Sequence, residues 1–198
     1  QVRNMDKHPS KHQLHPILQL GDPGLRVSCK PVTDFEDRTY CSDGERLLFI
    51  LEQFRAEFGF GRAISAPQIG IARRMVAMNL GEGPFLVVNP EITWKSEKSF
   101  TMWDDCMSFP FLLVRLARAE SLALDWQEGD GNHCTWEEVD RSRSELIQHE
   151  VDHLDGILSV DLALGRDALV ARGVYDADRG RFNGMVDYEI SAIVAQSY

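Results

Sequence analysis

The chain has no apolar run long enough to cross a bilayer, because runs such as Phe85 to Val88 are far shorter than the roughly 20 residues required. Basic residues are also few: 21 Lys and Arg stand against 31 Asp and Glu, which gives a formal net charge of −10 at pH 7. This charge disfavours a phosphate backbone as a partner. We therefore expect a soluble protein with no membrane association and no stable nucleic-acid binding.

Cysteine is scarce as well, and no two of the four cysteines form a CxxC pair; they are Cys29, Cys41, Cys106 and Cys134. Such scattered cysteines suit a reducing compartment better than a disulfide framework. Residues 1–15 lack the long apolar core of a secretory signal, and the missing initial Met indicates a trimmed chain or a fragment. The expected location is the cytoplasm, or an organelle matrix if a leader has been removed.

The length of 198 residues, 43% of them hydrophobic, is enough for one domain with a substantial core and leaves little room for two. Residues 1–15 are mostly polar and contain Pro9, which predicts a flexible N-terminal tail. Residues 16–198 are predicted to form a single domain, in which residues 165–198 are a variable C-terminal segment.

Two helices are predicted from their start signals. Ser42 and Glu45 match a capping box, so a first helix is expected from about Asp43 to Phe58. Ser142 and Glu145 match another capping box and predict the start of a second helix.

Between these helices, short apolar segments rich in β-prone residues predict strands at Met75–Met78, Phe85–Val88, Ile92–Trp94, Leu122–Trp126 and His133–Val139. The sequence GDGN at residues 129–132 predicts the tip of a hairpin. The order of elements predicts an α+β fold, with antiparallel β-sheets wrapped around a central helix. C-terminal to the second helix, we expect a short helix around Asp167 to Arg172 and a turn-rich stretch from Asp176 to Gly184.

The second helix carries an H-E-x-x-H pattern formed by His149, Glu150 and His153, and Gly156 is placed to end it. Side chains four residues apart share a helix face, so both imidazoles can reach one metal ion while Glu150 lies beside them. A metal acidifies water and a carboxylate can accept its proton, an arrangement typical of hydrolases. The extended pattern of one group of zinc proteases, HExxHxxGxxH, is not met, because its third histidine would be at position 159, which is Ser.

Three separate segments resemble the motifs of the peptide deformylase family. The first motif, G-x-G-[LI]-[AS]-A-P-Q, resembles GRAISAPQ at residues 61–68, and the second, E-G-C-[LM]-S, resembles DDCMS at residues 104–108. The third, Q-H-E-x-D-H-L-x-G, matches QHEVDHLDG at residues 148–156 at every fixed position. The motifs occur in the family's order, and the resemblance covers about Ile17 to Leu162. This resemblance identifies Cys106 as the third metal ligand.

The resemblance implies one divalent metal ion held by Cys106, His149 and His153; Fe²⁺ is the family's usual metal, and Zn²⁺, Ni²⁺ or Co²⁺ suits the same ligands. It further implies that Glu150 is the general base. Oxyanion donors are expected from the Gln68 side chain and the Met107 backbone amide. Residues beside the substrate are expected to be Arg62, Ala63 and Ile64.

Several positions depart from the family's pattern. Ala63 replaces a Gly, and Asp104 and Asp105 replace Glu-Gly. Arg62 occupies a position that is usually apolar, near the pocket for the first side chain of the peptide. It either lines a methionine pocket with its apolar stem or selects a polar residue; we expect the first, with the charged head reaching solvent.

Asp152 is expected to orient a metal ligand, to pair with Arg118, or to be a solvated carboxylate, and these three readings stay open. Arg115 and Arg118 could equally pair with Asp104.

The function implied by the resemblance is metal-dependent hydrolysis of the N-formyl group from formylmethionyl peptides, with release of formate. Residues 16–198 would then form a metallohydrolase catalytic domain that processes the N-terminus of newly made proteins. Two alternatives remain: a related metal amidase acting on another formylated or acylated substrate, and a non-catalytic binder of formyl-peptides. No tight ribosome binding is expected through the C-terminal segment, because Gly165 to Tyr198 contains four basic and five acidic residues.

Overall fold

The structure is a computed structural model that describes residues 17–190, so the predicted flexible tail at residues 1–15 lies outside the described residues. The described helices are α1 (Arg38–Phe58), α2 (Arg141–Leu154), α3 (Arg172–Ala177) and α4 (Arg179–Asn183). The described strands are β1 (Ala63–Ser65), β2 (Met75–Asn79), β3 (Pro84–Lys95), β4 (Ser99–Asp105), β5 (Leu112–Ala119), β6 (Leu122–Gln127), β7 (His133–Trp136) and β8 (Leu169–Ala171). Within residues 17–190, no helix is both long and apolar enough to span a membrane.

Helix α1 begins five residues earlier than its predicted capping box. Asp37 is the N-cap, and its carboxylate accepts hydrogen bonds from the amides of Thr39 and Tyr40. The prediction was therefore wrong about the cap, because the Ser42 and Glu45 pattern falls inside the first turns of the helix. The helix ends as expected, with Gly59 in the left-handed region at φ 72°.

Two antiparallel sheets form the body of the protein. The larger has the strand order β1-β2-β3-β6-β7, and the smaller has the order β4-β5-β8. The predicted strands at residues 85–88 and 92–94 are parts of one long strand, β3, whose register against β6 shifts between them. Asn89 lies in that shift at φ 50°, and its side chain bonds both the amide and the carbonyl of Val32. The GDGN hairpin between β6 and β7 is confirmed.

Helix α2 lies between the two sheets, because it packs against β1 of the larger sheet and β5 of the smaller one. Its apolar side chains Leu146, Ile147 and Leu154 are buried in a core cluster with β2, β3 and β6. The predicted α+β class, with antiparallel sheets around a central helix, is confirmed. The predicted capping box is wrong, however, because Asp140 is the N-cap and accepts a hydrogen bond from the Arg143 amide.

The C-terminal segment differs from its prediction. The residues expected to form a helix, Asp167 to Arg172, instead contribute strand β8, which pairs with β5. The stretch expected to be turn-rich contains the end of α3 and the whole of α4. This segment closes onto the smaller sheet, because Phe182 is buried against Trp103, whose indole NH donates to the Phe182 carbonyl at 2.8 Å. Pairing of Leu169–Ala171 with β5, a non-local effect, explains why these residues form a strand rather than the predicted helix.

Candidate active site

The two histidines of the HExxH pattern lie one turn apart on the same face of α2. His149 and His153 are 7% and 1% exposed, and their Nε2 atoms are 3.1 Å apart. The apolar face of α2 packs in the core. Its polar face, which carries both histidines, is therefore directed toward β4 and β5. The prediction that both imidazoles reach one point is therefore matched by the geometry.

Cys106 follows directly after β4 and completes a cluster of metal-ligating atoms. Its Sγ lies 3.3 Å from Nε2 of His153, and the three ligand atoms of Cys106, His149 and His153 lie within 4.8 Å of one another. All three residues are buried, and burial raises the pKa of the Cys106 thiol. One thiol and two imidazoles in this arrangement can hold a divalent cation with an open fourth position.

Asp104, one residue before the end of β4, fixes the orientation of His149. Its carboxylate oxygens lie 3.0 and 3.1 Å from Nδ1 of His149, so with Nδ1–H donating to Asp104 the Nε2 lone pair faces the cluster. Burial opposes ionisation of Asp104, but His149 and Arg118 outweigh it and lower the pKa of that carboxyl to about 2. This role was not predicted from the sequence, although the acidic residue in the second motif is a signal for it.

Arg118 bridges the carboxylates of Asp104 and Asp152, whose partners were left open by the sequence. Its Nη2 bonds Asp104 at 3.1 Å, and its Nη1 bonds Asp152 on α2. The Arg118 side chain is 4% exposed, so it neutralises the charge of Asp104 inside the protein. Arg115 does not share this network within residues 17–190; its Nη2 donates to the Leu164 carbonyl at 3.3 Å.

Glu150 lies beside the cluster and is held by Ser65, a residue of the first motif whose role was not predicted from the sequence. The Ser65 hydroxyl lies 2.5 Å from Oε2 of Glu150 and 3.0 Å from its backbone carbonyl. Glu150 is 3% exposed, and burial raises the pKa of its carboxyl. A buried carboxyl with a raised pKa is suited to accept and return a proton near neutral pH.

Gln68 is fixed in a 3₁₀ turn at residues 66–69 with its amide directed at the cluster. Its side-chain oxygen accepts from the Ser65 amide at 2.8 Å, so its Nε2 is the end that faces Ser108 and Cys106, at 3.2 and 3.6 Å. Met107 follows Cys106 and lines the same cavity. The structure thus brings both predicted oxyanion donors next to the predicted metal ligands.

The cluster opens into a cavity of about 390 Å³ whose walls come from all three motifs and from the C-terminal segment. Arg62 and Ala63 line it, whereas Ile64 does not: its side chain is fully buried in the core beside α1, so its predicted place beside the substrate is not matched by its side chain. The expectation that the Arg62 head reaches solvent is wrong. The guanidinium pairs with Glu145 and bonds Ser142, because α2 presents polar groups there.

The C-terminal segment forms a second wall of this cavity. Its contributing residues are Arg172, Tyr175, Arg179, Asn183, Val186, Tyr188, Glu189 and Ile190. Arg172 anchors the segment, since its Nη2 bonds the Asp105 carboxylate at 2.8 Å. Asp105, an unusual residue in the second motif, therefore holds the C-terminal segment next to the metal ligands.

The chain is similar to peptide deformylases in both sequence and structure. The family described as polypeptide deformylase matches residues 14–167. The peptide deformylase of Thermotoga maritima is 33% identical over 148 residues, which cover 75% of this chain and 86% of that protein. A peptide deformylase-like protein of Brucella melitensis is 36% identical over 162 residues, which cover 79% of this chain and 93% of that protein. The crystal structure of the Thermotoga maritima peptide deformylase superposes with a TM-score of 0.69 at 32% identity, covering 78% of this chain and 100% of that one.

Proposed function

This chain belongs to the polypeptide deformylase family. We propose that Cys106, His149 and His153 hold a divalent metal ion, and that Glu150 is the general base in the hydrolysis of an N-formyl group at that site. Enzymes of this family are metal-dependent hydrolases that remove the N-formyl group from nascent peptides, and this chain is such an enzyme.

The donor set supports the metal proposal. Two imidazole nitrogens and a thiol sulfur converge on one point, and Asp104 holds His149 with a lone pair directed there. Such a mixed sulfur and nitrogen set suits Fe²⁺, Zn²⁺, Co²⁺ or Ni²⁺ rather than Mg²⁺ or Ca²⁺. We propose Fe²⁺ as the resident ion, following the family. When bound, such an ion makes water more acidic and polarises the formyl oxygen.

The chain's own residues supply the proton transfers. Glu150 accepts a proton from the attacking water, which adds to the formyl carbon. The same carboxyl then donates a proton to the departing amine as the C–N bond breaks, so that formate and a free amino terminus leave. The contact with Ser65 supports this assignment, because it fixes the carboxyl in one orientation beside the cluster.

The oxyanion that forms during this addition needs hydrogen-bond donors already in place. The Gln68 side-chain amide is oriented toward the cluster by its bond to the Ser65 backbone. The Met107 backbone amide makes no backbone hydrogen bond within residues 17–190, so it is free to donate to a ligand. We assign these two groups as the oxyanion donors, and Ser65 and Asp104 as positioning residues.

The observation that carries the proposal is the convergence of Cys106, His149 and His153 beside buried Glu150. Its test is formate release from formyl-Met-Ala-Ser by purified protein whose metal content is measured. We expect formate release in proportion to bound metal. Stoichiometric metal with no formate release would favour the non-catalytic alternative, in which the fold only binds formyl-peptides.

A second candidate, a related amidase for another formylated or acylated substrate, is favoured by one observation. An ion pair between Arg62 and Glu145 lines the cavity where the family usually has an apolar side chain. Formate release from a panel of formylated peptides and other formamides separates this candidate from the first.

We propose the cytoplasm, or an organelle matrix, as the location, with formylated peptides or nascent chains as the partners. The net charge of −10 supports the absence of stable nucleic-acid binding and of tight ribosome binding through residues 165–198.

A further inference from the structure

The ion pair between Arg62 and Glu145 is part of the active-site wall. Glu145 lies one helical turn before His149 on α2, so its carboxylate is on the helix face that carries the metal ligand. Arg62 lies three residues before Ser65, which contacts Glu150. Both members of the pair line the cavity that contains Cys106 and Glu150. A substrate that occupies this cavity with its formyl group at Glu150 therefore shares the cavity with the Arg62–Glu145 pair.

The pair is nearly buried but keeps unused hydrogen-bonding capacity. The side chains of Arg62 and Glu145 are 11% and 3% exposed. Nη1 of Arg62 donates to the carbonyl and hydroxyl of Ser142, at 2.9 and 3.0 Å, and Nη2 donates to Oε1 of Glu145. Within residues 17–190, Nε of Arg62 and Oε2 of Glu145 make no hydrogen bond, and neither is a buried unsatisfied atom, so both are accessible to a ligand.

We infer that the Arg62–Glu145 pair is a specificity determinant that binds a carboxamide side chain on the first residue of the formylated substrate. The enzyme then hydrolyses formyl-glutaminyl peptides at least as well as formyl-methionyl ones. This inference rests on the proposed function, since it takes formamide hydrolysis beside Glu150 as given. It extends the substrates beyond chains that begin with formyl-methionine.

The chemistry of the two side chains explains the expected order. Glutamine and methionine are similar in length, but a carboxamide both donates and accepts hydrogen bonds, whereas a thioether is only a weak acceptor. A thioether placed against the pair removes water from Nε of Arg62 and Oε2 of Glu145 and leaves both without a partner, which is costly in a buried site. A carboxamide satisfies both atoms and matches Glu145 in either of its protonation states.

The test compares kcat/KM for formate release from formyl-Gln-Ala-Ser and formyl-Met-Ala-Ser by metal-loaded protein. In the wild type we expect a Gln-to-Met ratio of one or more. In the double variant Arg62→Leu/Glu145→Leu, which replaces the pair by apolar side chains and leaves no lone buried charge, we expect the ratio to fall at least tenfold. The control Arg74→Leu/Asp155→Leu removes a pair that does not line this cavity, and it should keep the wild-type ratio.

Each outcome is decisive. A wild-type ratio below one overturns the inference and needs no folded variant. A ratio that falls less than tenfold in the double variant, or falls equally in the control, overturns the assignment to Arg62 and Glu145. Release of no formate from either peptide by metal-replete wild type rejects the proposed function itself, and the inference with it.

Discussion

Replacing Arg118 by Met tests whether the buried charges behind the metal ligands form one network. The guanidinium bonds Asp104 and Asp152 at once, and its side chain is 4% exposed. Methionine keeps an unbranched stem that fills much of the same space but removes the charge and both bonds. Asp104, which is 3% exposed, then loses the cation that helps to keep it ionised beside His149.

The expected loss of stability follows from the burial of the Arg118–Asp104 pair. Removing one partner of a buried ion pair costs about 3–5 kcal/mol, because an uncompensated charge stays inside the protein. At about 2–4 °C per kcal/mol for a chain of this size, Arg118→Met should lower Tm by about 6–20 °C. Metal affinity should also weaken, since loss of such supporting contacts typically costs about 10–100-fold.

The assay is thermal unfolding and metal titration of the wild type, Arg118→Met and a matched control, Arg115→Met. Arg115 lies on the same strand, but it makes no ion pair within residues 17–190 and gives one long bond to a carbonyl. We expect the control to lose about 1 kcal/mol or less through that bond. Equal Tm values for the two variants, or unchanged metal affinity in Arg118→Met, would refute the proposed network.

Three further predictions address the metal, the base and the cavity wall. Cys106→Ala and His153→Ala should give metal-poor, inactive protein by elemental analysis, and full metal content in either would remove that residue from the ligand set. Ser65→Ala should keep the metal yet lower kcat about tenfold, because Glu150 loses the bond that orients it; an unchanged kcat with full metal would deny this role. Burial raises the pKa of Glu145 to about 7 although Arg62 partly lowers it, so the folded state binds the extra proton between about pH 4.5 and 7. Relative to Glu145→Gln, the wild type should therefore lose up to about 3 kcal/mol of unfolding free energy as pH rises across that range, and parallel pH profiles of the two proteins in urea would contradict this.

Much of the site could be predicted because its determinants are local. Two histidines at helical spacing must share a face of α2, so the sequence pattern alone places them together. The role of Cys106 as a metal ligand could be inferred only from the family resemblance. No neighbouring residue in the second motif indicates which helix Cys106 will contact. Its contact with His153 depends on how β4 packs against α2.

Other features could not be predicted because they depend on distant packing. The pattern at Ser142 and Glu145 resembles a cap, but Arg62 from another segment takes the carboxylate, and Asp140 caps the helix instead. Likewise, Leu169 to Ala171 are helix-compatible in isolation but find an open edge at β5. In both cases a partner far along the chain outweighs the local preference.

Glu150→Gln tests the central claim most directly, because the amide has the shape of the carboxyl but cannot accept the proton of the attacking water. The measurement is kcat for formate release from formyl-Met-Ala-Ser, together with the metal content of the same sample. We expect the variant to keep its metal and to lose at least about 100-fold in kcat. Wild-type turnover by metal-replete Glu150→Gln would contradict the account and require another base.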